Sequence, residues 1–475
     1  MNVELLLRKL EIISESPGGL DRMRTLVADL ATSGALIVDD NGPADDYVGT
    51  KDDELDERLP QLPESWDWVS LASAGRLLSG DSASSEVKEE LFRNRIGVPY
   101  IATKDVGYGR EPLNYDNGLV VAEGDTRFKR ANSGAVLLCM EGGSAGKKMG
   151  LSDREICFGN KLLAVETHEH LLPGYLMCVY QSTRFQEQFR ERVTGIIGGI
   201  SKKALSELLV PIPPRAEQEV ILAKVDELMT LCDMIEDRQR TREILVMASR
   251  SSSLNAVQEA ESSEEIAMAW GRVNSNWETF AGDLLGVAEL RRVGLYLAVH
   301  GKLLEGNNDQ WTICTLGDQL TLQRGFDITK KEQNPGPYPV VSSGGVLSTH
   351  DAFKCSGPGV VLGRKGSVGK VHWVEDDYWP HDTTLYVKDF KGNLPEFVYY
   401  FLLSFPLMDF ESSTANPSLN RNRLHPVPVR WPLPEVQVAI VDAVKKMTGC
   451  CDDLATSIDL KDQIARDLAT VVTAF

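Results

Sequence analysis

The sequence predicts an α+β chain: two duplicated bodies of mixed helix and strand, separated by two long coiled-coil-like helices. Three observations carry this. Four blocks of sequence recur in the same order. Each copy holds short apolar runs bounded by Gly, Asn and Ser, which suit strands. Each copy ends in a proline cluster followed by a helix with one apolar seam.

The first element is a helix expected over residues 3–37, with Leu20, Met23, Leu26, Val27 and Leu30 at helical spacing and Gly34 as its stop. Residues 38–62 are polar and acidic and read as a linker. The first body follows, over 63–212. Its strand candidates are "SGAVLLCM" and "KLLAVE", and "GYLMCVYQSTRFQEQFRERV" reads as a helix near its end. After "PIPP", a central helical region runs over 213–305. The second body covers 306–430, with strands expected at "PYPVV", "GVVLG", "KVHWV" and "TLYVK" and a helix at "LPEFVYYFLLSF". The last long helix occupies 431–475.

The repeat sets this plan. "LDRMRTLVADLATSGALI" (20–37) matches "VAELRRVGLYLAVHGKLL" (287–304), pairing Arg24 with Arg291 and Gly34 with Gly301. "WDWVSL" (66–71) matches "WTICTL" (311–316), and "GSAGK" (143–147) matches "GSVGK" (366–370). "LLVPIPPRAEQEVI" (208–221) matches "VPVRWPLPEVQVAI" (427–440), pairing Gln218 with Gln437. A period above 200 residues is too long for a solenoid and indicates a duplicated domain. In the long helices Ile221, Val225, Leu228, Cys232 and Ile235 recur at 4-3-4-3 spacing. Ile440, Val444, Met447, Cys451 and Leu454 occupy the aligned positions. Such seams pack helix on helix, most simply on each other.

Composition bounds the function. An apolar fraction of 42% and a charged fraction of 25% are those of an ordinary globular protein. No apolar run is long enough to span a membrane, and "MNVELLLRKLEII" is not read as a secretory signal. The eight cysteines form no C-x-x-C pair, so reduced cytosolic thiols are expected. Net charge is −19, with −8 in residues 1–62 and −6 in 213–305, whereas both bodies stand within one charge of neutral. A nearly neutral body can still carry a basic face.

"GRKGSVGK" (363–370) resembles a phosphate cradle but is no P-loop. Val371 stands where a metal-binding hydroxyl belongs, and Arg364 where the first glycine belongs. Its presence in two copies favours one binding operation performed twice. Glycine-rich basic loops let backbone amides and cations approach phosphates. That makes Arg364, Lys365, Lys370, Lys147 and Lys148 candidate phosphate contacts. A second matched pair of loops, "GGISKK" (198–203) and "PSLNRNR" (417–423), adds Lys202, Lys203, Arg421, Asn422 and Arg423. Arginine and asparagine suit guanine and adenine edges, so the last three are the better base-reading candidates. No catalytic or metal-ligating set is expected. There is no Asn-Pro-Pro-Tyr-like tetrad, no cofactor-type glycine motif, and His381-Asp382 reads as a structural polar pair.

"LRRVGLYLAVHGKLL", "LPESWDWVSL", "GRKGSVGKV" and "PIPPRAEQEVI" together resemble the specificity subunits of Type I restriction-modification enzymes, over nearly the whole chain. The Glu-Gln pair of the last motif is complete at Glu217-Gln218 and reduced to Val436-Gln437 in the second copy. The resemblance implies two target-recognition domains held apart by two antiparallel helices, each domain reading one half of a split double-stranded DNA target. It implies that the helices dock two methyltransferase subunits, which bind S-adenosylmethionine, and that motor-nuclease subunits join the full enzyme. The chain itself would have no cofactor and no catalysis. Two other readings of the same residues are a protein-binding scaffold and the specificity subunit of a methyltransferase-only system.

Overall fold

A computed structural model describes residues 13–37, 59–93, 96–195, 198–303, 311–411 and 417–473. The expected helix over residues 3–12 and most of the acidic linker lie outside them. The chain forms two compact units: Met1–Thr241 with Asp462–Phe475, and Arg242–Lys461.

In the first unit the helix expected over 3–37 is interrupted. The chain turns at Ser16–Gly18 before helix α1 (Gly19–Thr32) begins. Pro17 cannot donate to a continuing helix, and Gly18 takes φ +69°, a left-handed conformation that glycine adopts without a Cβ clash. Strand β1 (Asp67–Ser70) pairs antiparallel with β10 (Leu209–Ile212) and closes the body at its base. Between them lie two four-stranded sheets. One has the order β2-β9-β6-β7, from Gly75–Ser79, Leu162–Thr167, Val136–Cys139 and Met149–Leu151. The other has the order β4-β3-β8-β5, from Val120–Val121, Val98–Ile101, Ile156–Phe158 and Arg130–Ala131, with β3 parallel to β8. The helical stretch near the end of the body is two helices, α2 (Pro173–Gln181) and α3 (Thr183–Glu191). Ser182 stays extended between them and its Oγ accepts from the Phe185 N–H, starting the second helix afresh. The long helix α4 then runs over Arg215–Glu259 and crosses from the first unit into the second.

The second unit repeats the topology. After two shorter helices, α5 (Leu284–Val299) stands where α1 stood. Strand β11 (Thr312–Thr315) pairs antiparallel with β19 (Pro428–Trp431). The main sheet has the order β12-β18-β15-β16, from Thr321–Arg324, Thr384–Asp389, Gly359–Gly363 and Val371–Val374. The smaller sheet has the order β14-β13-β17, from Gly345–His350, Tyr338–Ser342 and Trp379–Pro380, with β13 parallel to β17. Helix α6 (Pro395–Ser404) and the long helix α7 (Pro434–Thr473) complete the copy, with the end of α7, from Asp462 on, belonging to the first unit.

The same contacts fasten each body to its long helix. Gln218 is fully buried in the first turn of α4. Its Oε1 accepts from the Leu172 N–H (2.8 Å), and its Nε2 donates to the carbonyls of His170 (2.7 Å) and Pro213 (2.8 Å). Gln437, also fully buried, accepts from Leu394 N–H (2.9 Å) and donates to Asn393 Oδ1 (2.7 Å) and the Pro432 carbonyl (3.2 Å). Buried amides must be satisfied in this way.

The two seams are taken up differently from the expectation that they meet each other. Ile221, Val225, Leu228 and Cys232 are buried, with Ile235 at the edge, in a core that also holds Met23, Leu26, Val27 and Leu30 of α1. Ile440 and Val444 sit in the second unit's core with Leu295 and Ala298 of α5. Met447, Cys451 and Leu454 pack around Val287 of α5. Each seam is thus filled mainly by the short helix that opens its half, and Leu454 of the second seam also packs on the core that holds Leu254 and Val257 of α4. Ion pairs repeat the pattern: Arg24 bonds Asp233 (2.9 Å) and Glu236, and Arg291 bonds Asp452. A 4-3-4-3 pattern states that one face is covered but not by what, and α1 and α5 were the unassigned partners.

One fastening is not duplicated. Trp66, 4% exposed, donates its indole N–H to Glu217 Oε2 at 2.7 Å, and the Ser65 hydroxyl donates to Oε1 at 3.1 Å. In the second unit Val436 replaces the carboxylate, and the buried Trp311 Nε1 has no partner among the described residues.

Candidate nucleic-acid interface

In each unit the two loops singled out in the sequence are joined at one edge of the body. In the first, Gly142 N–H donates to the Gly198 carbonyl (2.8 Å), Ile200 N–H to Met140 (3.0 Å), and Glu141 bridges Gly199. In the second, Leu419 N–H donates to the Arg364 carbonyl (3.0 Å), and Lys365 bridges Ser418. Two segments far apart in sequence therefore form one basic edge, twice.

The repeated glycine shapes this edge. Gly146 and Gly369 occupy the same position in "GSAGK" and "GSVGK" and take φ +71° and +78°. A Cβ at Gly146 would lie 2.8 Å from the Phe189 ring, and one at Gly369 2.9 Å from Met408 Sδ. The glycines are explained by a left-handed turn and close packing, with no need of a bound phosphate.

The candidate cations separate into two groups. Lys147, Lys202, Lys203, Lys365, Lys370 and Arg421 are exposed, as is Asn422. Lys202 and Lys203 open a short helix, Lys202–Ser206, capped by Ser201. Asn420 caps the turn Arg421–Leu424 by accepting from the Asn422 N–H. Lys148, Arg364 and the likewise exposed Arg423 each bond a main-chain carbonyl. Lys148 Nζ donates to the Thr103 carbonyl (3.1 Å) and lies 5.3 Å above the Tyr108 ring. Arg364 donates through Nε and Nη2 to the Asp382 carbonyl (3.2 and 3.0 Å), and burial, with Arg324 nearby, pushes its guanidinium below the usual value. Arg423 Nη1 donates to the Glu411 carbonyl (2.7 Å).

Asp327, His381 and Asp382 bring potential ligand atoms within 4.8 Å of one another. Asp382 already bonds Arg324 (2.9 Å), and His381 Nδ1 faces Thr383 Oγ1 (3.1 Å) and Asp382 Oδ1 (3.1 Å). These contacts describe a polar strut at the start of β18. His425 was not anticipated: its Nε2 accepts from the Leu322 N–H (3.0 Å) and ties the 421–425 turn to β12.

No described helix is long and apolar enough to cross a membrane. The family model of the Type I restriction modification DNA specificity domain matches residues 63–245 and 308–465, one match on each copy of the repeat. The chain is similar to the EcoAI specificity subunit of the Type I restriction enzyme of Escherichia coli, 24% identical over 321 residues, 62% of this chain and 54% of that one. It is also similar to the EcoEI specificity subunit from Escherichia coli, 23% identical over 330 residues, 62% of this chain and 53% of that one. The matches span about half the length of these relatives. A solved chain, from work on complex assembly and conformational transition of the type I R-M system, shares the fold with a TM-score of 0.54 at 14% identity, covering 88% of this chain and 98% of its own. Two family matches, together covering most of the chain, place it among known proteins: it belongs to the Type I restriction-modification DNA specificity family.

Proposed function

We propose that this chain is the non-catalytic specificity subunit of a cytoplasmic Type I restriction-modification complex. Each recognition domain reads one half of a bipartite duplex target. The observation that carries this is the duplicated edge: a glycine-rich basic loop bonded to a second basic loop, once in each unit. Exposed Lys147, Lys202, Lys203, Lys365 and Lys370 meet phosphates, while Arg421 and Asn422 reach base edges. Lys148, Arg364 and Arg423 hold the edge in shape. Methyl transfer belongs to partner subunits carrying S-adenosylmethionine. The long helices dock them, and α4 offers Met234, Ile244, Leu245 and Met247, all more than half exposed.

The test is reconstitution with the methyltransferase partner. Affinity for the target should fall with salt at a log-log slope of about −0.9 per neutralised phosphate, and exceed that for random duplex. Equal affinity for both DNAs would favour the scaffold reading. Methyl transfer by the purified chain alone would make it an enzyme.

A further inference from the structure

In both units the strand of the parallel pair leads directly into a segment held against the glycine-rich loop. In the second unit this segment is the turn between β13 and β14. Ser343 N–H donates to Thr383 Oγ1 (3.3 Å), His372 Nε2 lies 3.0 Å from the Ser343 carbonyl, and a Cβ at Gly363 would meet that same carbonyl at 3.2 Å. The turn is therefore fixed to the loop that presents Lys365 and Lys370. Just past it stand Val346, 68% exposed, and Leu347, 55% exposed. Both lie within about 11 to 14 Å of chain from Ser343. The register of β13 and β14 shifts between Val340, paired with Ser348, and Val341, paired with Val346, so Leu347 is the extra residue of a bulge and the tip presents two adjacent exposed aliphatic side chains.

The first unit has a counterpart with different chemistry. The segment after β3 carries Tyr108, 62% exposed, and is pinned to the glycine-rich loop by a bridge from Tyr108 to Met149 and by Lys148 on the Thr103 carbonyl. Equivalent places beside equivalent basic loops thus present a phenol in one copy and an aliphatic pair in the other. Phosphate contacts have no use for either. In the major groove, an aliphatic side chain has one specific partner, the C5-methyl of thymine.

We infer that the β13–β14 tip is a base-reading element of the second recognition domain, with Val346 and Leu347 packing on thymine methyl groups in its half-site. This rests on the DNA-reading role proposed above. The flanking lysines supply charge complementarity to the backbone, and the apolar tip supplies sequence information that they cannot.

The experiment uses the full chain with its methyltransferase partner and target duplexes in which each thymine in turn is replaced by uracil, removing only the methyl. One or two thymines, all in one half-site, should then lose about fourfold in affinity each, the burial value of one methyl group. The double substitution Val346→Ala and Leu347→Ala should abolish that uracil penalty while leaving affinity for random duplex within about twofold. Val346→Thr, of nearly equal volume, guards against a folding defect and should reduce the penalty partly. Uracil tolerated throughout, a penalty that persists in the alanine variant, or a half-site without thymine overturns the inference while target-specific binding stands. Absence of target-specific binding by the unmodified complex overturns both this inference and the proposed function.

Discussion

Glu217→Val should turn the first half's fastening into the second half's. Glu217 takes the Trp66 indole N–H at 2.7 Å and the Ser65 hydroxyl at 3.1 Å, and Trp66 is almost completely buried. Removing the carboxylate strands a buried donor, the condition already present at Trp311 beside Val436. A hydrogen bond to a charged acceptor contributes about 1.5–3 kcal/mol. Glu217 is only half-buried, so screening places the expected loss near the lower end, about 1–2 kcal/mol. A chain of two units need not unfold in one step, so the loss is best read locally, as amide hydrogen exchange in β1 and β10. Exchange there should accelerate about 5–30-fold, at one decade per 1.36 kcal/mol. In the Trp66→Phe background the same change should cost less than about 0.5 kcal/mol, because the donor is already gone. Unchanged exchange in β1 and β10, or an undiminished cost in that background, would refute the assignment.

Other expectations follow from the same contacts. Gln437→Leu removes both ends of a fully buried amide and should lower stability of the second unit by about 2–3 kcal/mol, read by exchange around Leu394. Arg291→Ala, by contrast, breaks an exposed pair and should cost under about 1 kcal/mol in a denaturant titration. Burial, with Arg421 and Lys391 nearby, lowers the His425 pKa below the ordinary 6.5. The neutral ring accepts from Leu322 N–H, so its contribution is present above about pH 6.5 and is lost as pH falls below it. Exchange of the 421–425 turn should rise on acidification, and His425→Asn should flatten that response. Replacing Lys365 and Lys370 with Gln should weaken binding to target and random DNA alike and reduce the salt slope by up to about two phosphates' worth.

The duplication was legible because each repeated block does the same work twice. Gln218 and Gln437 fasten a helix to a body, Arg24 and Arg291 pair with the same helical position, and Gly146 and Gly369 make the same turn. Even the weak repeat at Val436 was readable, and its consequence is the unpartnered Trp311 indole. The partner of each seam was not legible, since periodicity gives a covered face without naming its cover. Nor was the meeting of residues 141 and 199, or of 365 and 418, visible: it runs through backbone hydrogen bonds that any side chains could make. For the same reason Lys148, Arg364 and Arg423 looked like free cations. Their partners are main-chain carbonyls of Thr103, Asp382 and Glu411, which leave no trace in sequence.

The central claim is that one chain reads two DNA half-sites with two separate domains. It is tested by mapping every methylated base in cells that carry this chain and its methyltransferase partner, first unaltered and then with Arg421→Ala. Two short specified sequences flanking an unspecified spacer are expected. The substitution should relax a position in one of them, at about 1–3 kcal/mol per lost bidentate contact, and leave the other intact. A single uninterrupted motif, or relaxation of both halves together, would contradict it.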